Sequence, residues 1–253
     1  MAWKEEPQKS RFGSPMLPAV KQLILFAVGW LGFQVFASTV QVVAASVIKL
    51  SGISYSSLGF SMIINSICYI GLIIALTLIA NKDILKLIPS FKQWQSYLAG
   101  LICFAAIIAF SVIYGTFINY LKQIGVINIP TGDNANQAAI VSLEEKYTFT
   151  SLVIFGFIGP ICEELTYRTG LFSLLRRKNK AVAYIVTILV FAFIHFNFST
   201  DTATLINELL QLPHYMFAAV AFSFTYDKFG FAGSVSAHIT NNVFSLLFVS
   251  AIH

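Results

Sequence analysis

The chain has 253 residues, 57% hydrophobic and 11% charged, with a formal net charge of +5. That balance excludes an ordinary soluble domain and leaves one integral membrane domain. The positive charge, which would suggest nucleic acid for a soluble chain, here reports basic cytoplasmic loops, so no nucleic-acid partner is expected.

Residues 1–21 are polar and carry three prolines, which predicts a flexible cytoplasmic tail. Residues 22–253 then form the membrane domain. Apolar segments lie at about 22–48, 57–80, 96–118, 149–175, 181–198, 212–227 and 231–251, each near the ~20 residues that a helix needs to cross the hydrocarbon core. The fold expected is all-α, a polytopic transmembrane helical bundle of about seven membrane helices. An eighth is counted if the mixed pattern from Asn136 to Tyr147 forms a short interfacial helix. Thr202 to Gln211 reads as a short surface helix ended at Pro213. Cys68, Cys103 and Cys162 lie in apolar runs and read as small buried hydrophobes.

Basic residues orient the bundle. With the N-terminus inside, the cytoplasmic side receives Lys4, Lys9, Arg11, Lys21, Lys82, Lys86, Lys92, Arg176, Arg177, Lys178, Lys180 and Lys228. The outer side keeps Lys49, Lys122 and Lys146, a clear positive-inside bias that leaves His253 outside.

The fourth segment carries Glu163, Glu164 and Arg168 within a strongly apolar stretch. A charge at bilayer depth costs about 3 kcal/mol or more unless it is paired or faces a polar cavity. Glu164 and Arg168 are four apart and share a helix face, whereas Glu163 sits about 100° around and lacks that partner. One carboxylate is thus neutralised structurally and the other is free for chemistry. Phe191 and His195 share a face of the fifth segment, and His238 and Asn242 share a face of the seventh.

Other polar residues read as ordinary. His214 and Asn241 suit helix packing, Glu208 a solvated face, and Glu144 and Glu145 solvated loop charges. A carboxylate, two histidines and a carboxamide on three helices can line a water-holding cavity. A desolvated glutamate is suited to general base and acid work, and a histidine–asparagine pair can hydrogen-bond an oxyanion. Those are the parts needed to hydrolyse an amide bond.

In this order, Glu-Glu-x-x-x-Arg, Phe-x-x-x-His and His-x-x-x-Asn resemble the motifs of the CAAX protease and bacteriocin-processing family, also called the Abi family. The resemblance covers about 148–250. It implies an intramembrane glutamate-type endopeptidase acting on membrane-associated peptides or proteins, bacteriocin-type or CAAX-like, in a bacterial cell membrane. Glu163 would activate water with help from His195, and His238 and Asn242 would form the oxyanion hole. Glu164, Arg168 and Phe191 would support the site.

Three alternatives stay open. The first is a zinc site on Glu163, His195 and His238, although no His-Glu-x-x-His is present and no cofactor is otherwise expected. The second is a non-proteolytic regulator or bacteriocin-immunity protein that binds a membrane partner such as a sensor kinase. The third is a proton relay or transporter, against which the absence of an internal repeat counts. One difficulty attaches to the site itself. Counting ~1.5 Å per residue from the cytoplasmic loops puts Glu163 and His195 ~20 Å deep and His238 only ~10 Å. A kink at Gly159–Pro160 is the device expected to help close that gap.

Overall fold

A computed structural model describes residues 17–52, 54–128, 132–198 and 201–249. The regular structure is helical throughout, with no strand among the described residues. We number the long helices α1 (Ala19–Ser51), α2 (Ser57–Ala80), α3 (Trp94–Gln123), α4 (Ala135–Arg176), α5 (Lys180–Phe193), α6 (202–229) and α7 (231–249). Helices α1, α3, α4, and α2 with the 3-10 turn that follows it, are long and apolar enough to cross a membrane, and α5 is apolar but shorter. An all-α membrane bundle is therefore observed. The expected count of seven crossings is not established by length and composition.

Local sequence sets the starts. Ser56 accepts from Gly59 N at 2.9 Å, Asn134 from Gln137 N at 2.9 Å, and Asn179 from Val182 N at 3.1 Å. Each side chain takes one of the donors that a helix N-terminus leaves unpaired. Apolar side chains point outward around α1, with Val35 68% and Val42 65% exposed. A helix apolar all round suits a lipid environment. On its inner side Gly29 lets α1 approach α4 so closely that an added Cβ would overlap the Thr166 side chain.

Several expectations change. Of the tail, residues 1–16 lie outside the described residues, but Leu17 is buried and the helix starts at Ala19. The mixed stretch at 136–147 is not a separate interfacial helix. It opens α4, which bends at Tyr147 (φ −132°, ψ 48°). The expected bend at Gly159–Pro160 does not occur there, since Gly159 keeps helical angles. Pro160 is instead taken up between two π-helical stretches, Leu152–Ile158 and Glu164–Phe172, whose wider turns disturb the regular bonding that a proline would break. Nor does Pro213 end a helix, because α6 runs through it from Thr202. Tyr114 Oη donates to the carbonyl of Leu210 at 2.9 Å, adding a bond in the turn that the proline weakens.

The break in the last long helix falls at Gly230 (φ 76°, ψ −167°), a backbone conformation open to glycine and strained for other residues. Gly230 is buried rather than looped out. Ser96 Oγ donates to Phe229 O at 3.0 Å, and Ala232 N donates to Ser90 Oγ at 3.1 Å, so side chains satisfy groups at the two cut ends.

Connections with basic residues gather at one end of the bundle. Asp83 pairs with Lys21 and Lys86, and Asp227 pairs with Arg176 (2.6 Å) and Lys180 (2.8 Å). Arg177 donates to Gln22 Oε1 at 2.8 Å and to Leu17 O at 2.6 Å. At the opposite end Gly132 N donates to Asn207 Oδ1 at 3.1 Å and Gln211 Nε2 to Gly132 O at 2.6 Å. Beneath the basic end lies an apolar cluster that includes Leu17, Leu76, Leu87, Cys162, Leu165 and Phe231.

Candidate active site

Helix α4 carries the two glutamates to the middle of the bundle. Glu164 and Arg168 are both fully buried, and Arg168 Nη1 lies 3.0 Å from Glu164 Oε1. The guanidinium carbon sits 4.3 Å from the centre of the Phe191 ring and 5.3 Å from that of Phe222. The arginine is thus held by one carboxylate and two aromatic faces, an arrangement suited to a planar cation with few polar neighbours. Phe191 acquires a physical role, as its ring also meets Tyr167 and the rings of His195 and His238.

His238 stands between the carboxylates. Its Nδ1 is 2.8 Å from Glu164 Oε1 and its Nε2 is 3.8 Å from Glu163 Oε2. The imidazole stacks on Phe222, with centroids 4.3 Å apart and planes inclined by 18°. A carboxylate paired to Arg168 can only accept, so Nδ1 of His238 carries the hydrogen in that contact. The same logic fixes His195, whose Nδ1 lies 2.8 Å from the Phe191 carbonyl, and its Nε2 is then left for other work. Tyr215 stacks on the His195 ring at 4.5 Å, and Asn134 Nδ2 donates to His195 O at 3.0 Å.

Glu163, His195, His238 and Asn242 all line one cavity. Glu163 Oε2 is buried and has no hydrogen-bond partner among the described residues. Asn242 Nδ2 donates to Phe155 O at 3.0 Å, which anchors its carboxamide and leaves a second hydrogen on that nitrogen. The depth discrepancy disappears because the count for His238 began from a surface loop, whereas the turn at Gly230 is buried beneath Ser90 and Ser96. As for the zinc alternative, no three His, Cys, Asp or Glu groups gather at ligand spacing among the described residues.

Some residues read as ordinary are not. Asn241 lines the cavity rather than only packing a helix. Glu144 is 3% exposed and Glu208 2%, so neither is solvated as expected. Glu208 Oε1 accepts from Ala135 N at 2.8 Å and Oε2 from Asn197 N at 3.1 Å, tying the start of α4 and the segment that follows α5 to α6. Both partners are distant in sequence, so helical spacing gave no sign of them. Glu208→Ala is expected to lower stability by about 1–3 kcal/mol, because it orphans two backbone donors. Thermal unfolding in detergent measures this, and an unchanged midpoint would remove the tie. His214 remains a packing residue, with Nδ1 3.2 Å from Ser111 Oγ and its ring against Phe110 and Tyr114. Asn134 and Tyr215 escaped the sequence reading, although the run Gly132-Asp133-Asn134 before a helical pattern is a cap signal that marks Asn134.

Apolar helices thus enclose a cavity lined by a glutamate, two histidines and an asparagine. Residues 145–244 match the family described as Type II CAAX prenyl endopeptidase Rce1-like. That stretch, about two fifths of the chain, holds the three motifs and is similar to that family. UPF0177 protein YvdC of Lactococcus lactis subsp. lactis is 26% identical over 178 residues, which cover 69% of this chain and 61% of the relative. An "Uncharacterized protein" of Mycoplasma capricolum subsp. capricolum is 26% identical over 202 residues, 76% of this chain and 56% of the relative. The chain therefore spans less than two thirds of the length of either. No solved structure matches.

Proposed function

We propose that this protein is an intramembrane endopeptidase in which Glu163 activates water against a peptide bond of a membrane-associated peptide or protein. Bacteriocin-type peptides are preferred over prenylated proteins as substrates. The observation that carries this reading is the buried, unpaired Oε2 of Glu163 in a polar cavity beside His195 and His238. A carboxylate oxygen with no protein hydrogen bond is disposed to accept a proton from water. In the attack, water oxygen bonds to the carbonyl carbon while its proton passes to Glu163. The C–N bond then breaks and that proton leaves with the amine.

His195 Nε2 would hold the water, since its Nδ1 is committed to Phe191 O. His238 Nε2 and the free carboxamide hydrogen of Asn242 would face the developing oxyanion. For Nε2 to donate, His238 must carry a proton on both nitrogens. Glu164 is then a positioning residue that acts through both Arg168 and His238.

Purified protein in lipid vesicles, offered a library of apolar peptides, is expected to hydrolyse some of them at a rate unchanged by a membrane-permeable chelator. Activity lost on chelation and restored by zinc would replace the carboxylate-activated water with a metal-bound one.

A further inference from the structure

We infer that substrate reaches Glu163 from the non-cytoplasmic face, between the start of α4 and α7, and that it is a neutral or cationic peptide segment presented at the outer leaflet. This rests on the peptidase reading for the word substrate, and on the bundle alone for the direction of access.

The cavity is closed on one side and open on the other. Toward the basic end the glutamates are capped by the apolar cluster, in which Leu17, Leu76, Cys162 and Leu165 are no more than 1% exposed and Phe231 is 6%. On that side α7 starts from the buried turn at Gly230. In the opposite direction the lining becomes polar and accessible. Asn136 is exposed, Gln137 and Ser245 are half-buried, and Gln137 Nε2 reaches Ser245 Oγ at 3.4 Å across the α4–α7 gap.

The closed end is the cytoplasmic one by charge. Lys21, Lys86, Arg176, Arg177 and Lys180 are tied together there through Asp83, Asp227 and Gln22. Among the described residues nine lysines and arginines fall on that side and three on the other, the asymmetry that fixes orientation during insertion. The open mouth consequently faces outward, away from cytoplasmic prenylated chains.

The lining also restricts the ligand. Asn136, Gln137, Asn241, Asn242 and Ser245 offer donors and acceptors to a peptide backbone, Glu163 is the charged group, and neither lysine nor arginine lines the cavity. Arg168 stays behind the Phe191 and Phe222 rings. A free C-terminal carboxylate close to the cut bond would meet Glu163 with no lysine or arginine beside it, so an internal, uncharged or basic segment fits best.

Cysteine labelling tests this. The three native cysteines are buried, which keeps the background low. In intact cells Gln137→Cys should react with a membrane-impermeant maleimide, whereas Lys82→Cys should react only after permeabilisation. Labelling of Gln137→Cys only after permeabilisation, or not at all, overturns the direction of access. The result holds equally in a Glu163→Gln background, so it does not depend on catalysis. In active cells a bulky maleimide on Gln137→Cys should stop processing. Processing that continues despite full labelling would refute this mouth and leave the peptidase reading standing.

Discussion

Glu163→Gln is expected to lower peptide hydrolysis by about 10²–10⁴-fold, the usual contribution of a positioned general base. The amide keeps the shape of the carboxylate but cannot take the proton from water. Protein abundance should not fall. Glu163 Oε2 has no protein hydrogen bond to lose among the described residues, and the polar cavity it lines accommodates an amide of the same shape. Quantitative blotting of membranes beside the activity assay separates the two effects. A variant that disappears from the membrane would assign Glu163 a structural role, and one that keeps full activity would remove it from catalysis.

Arg168→Ala should have the opposite signature, with loss of the folded protein itself. It leaves Glu164 as a buried carboxylate without its cation and opens a space between Phe191 and Phe222. Breaking such a buried pair from one side costs about 3–5 kcal/mol, a large fraction of the stability of a typical domain. The double variant Glu164→Gln/Arg168→Met removes both charges at similar volume and is expected to recover most of the loss. The glutamine carbonyl can still accept from His238. Arg168→Lys should fall between them, because an ammonium keeps the charge but not the planar stack. Melting temperatures in detergent give the order. A single Arg168→Ala variant as stable as wild type would contradict the role given to the pair.

Much of this site could be read from spacing. Glu164 with Arg168, and Phe191 with His195, are one helical turn apart, and a turn brings such pairs together whatever the surrounding fold. The phase of Glu163 followed from the same geometry. What spacing could not supply was tertiary. Glu208 looked solvated because its partners, Ala135 N and Asn197 N, are backbone groups outside its own helix and distant in sequence. His238 looked too shallow because nothing in the run Lys228-Phe229-Gly230 says that the turn is buried under Ser90 and Ser96. Pro213 looked like a stop because propensities learned in water exaggerate the damage a proline does where neighbouring helices can re-satisfy the backbone. Phe222 carried no signal at all, being one of 24 phenylalanines, yet it stacks on His238 and flanks Arg168.

Glu163 is proposed to activate the water that cuts a peptide in the membrane. Comparative peptidomics of cells carrying wild type or Glu163→Gln, at matched protein abundance, tests it most directly. The expected result is a set of peptides with defined new termini in wild-type cells and their intact precursors in the variant. Identical peptidomes, with the cellular function retained by Glu163→Gln, would contradict it and favour a protein that acts by binding a membrane partner.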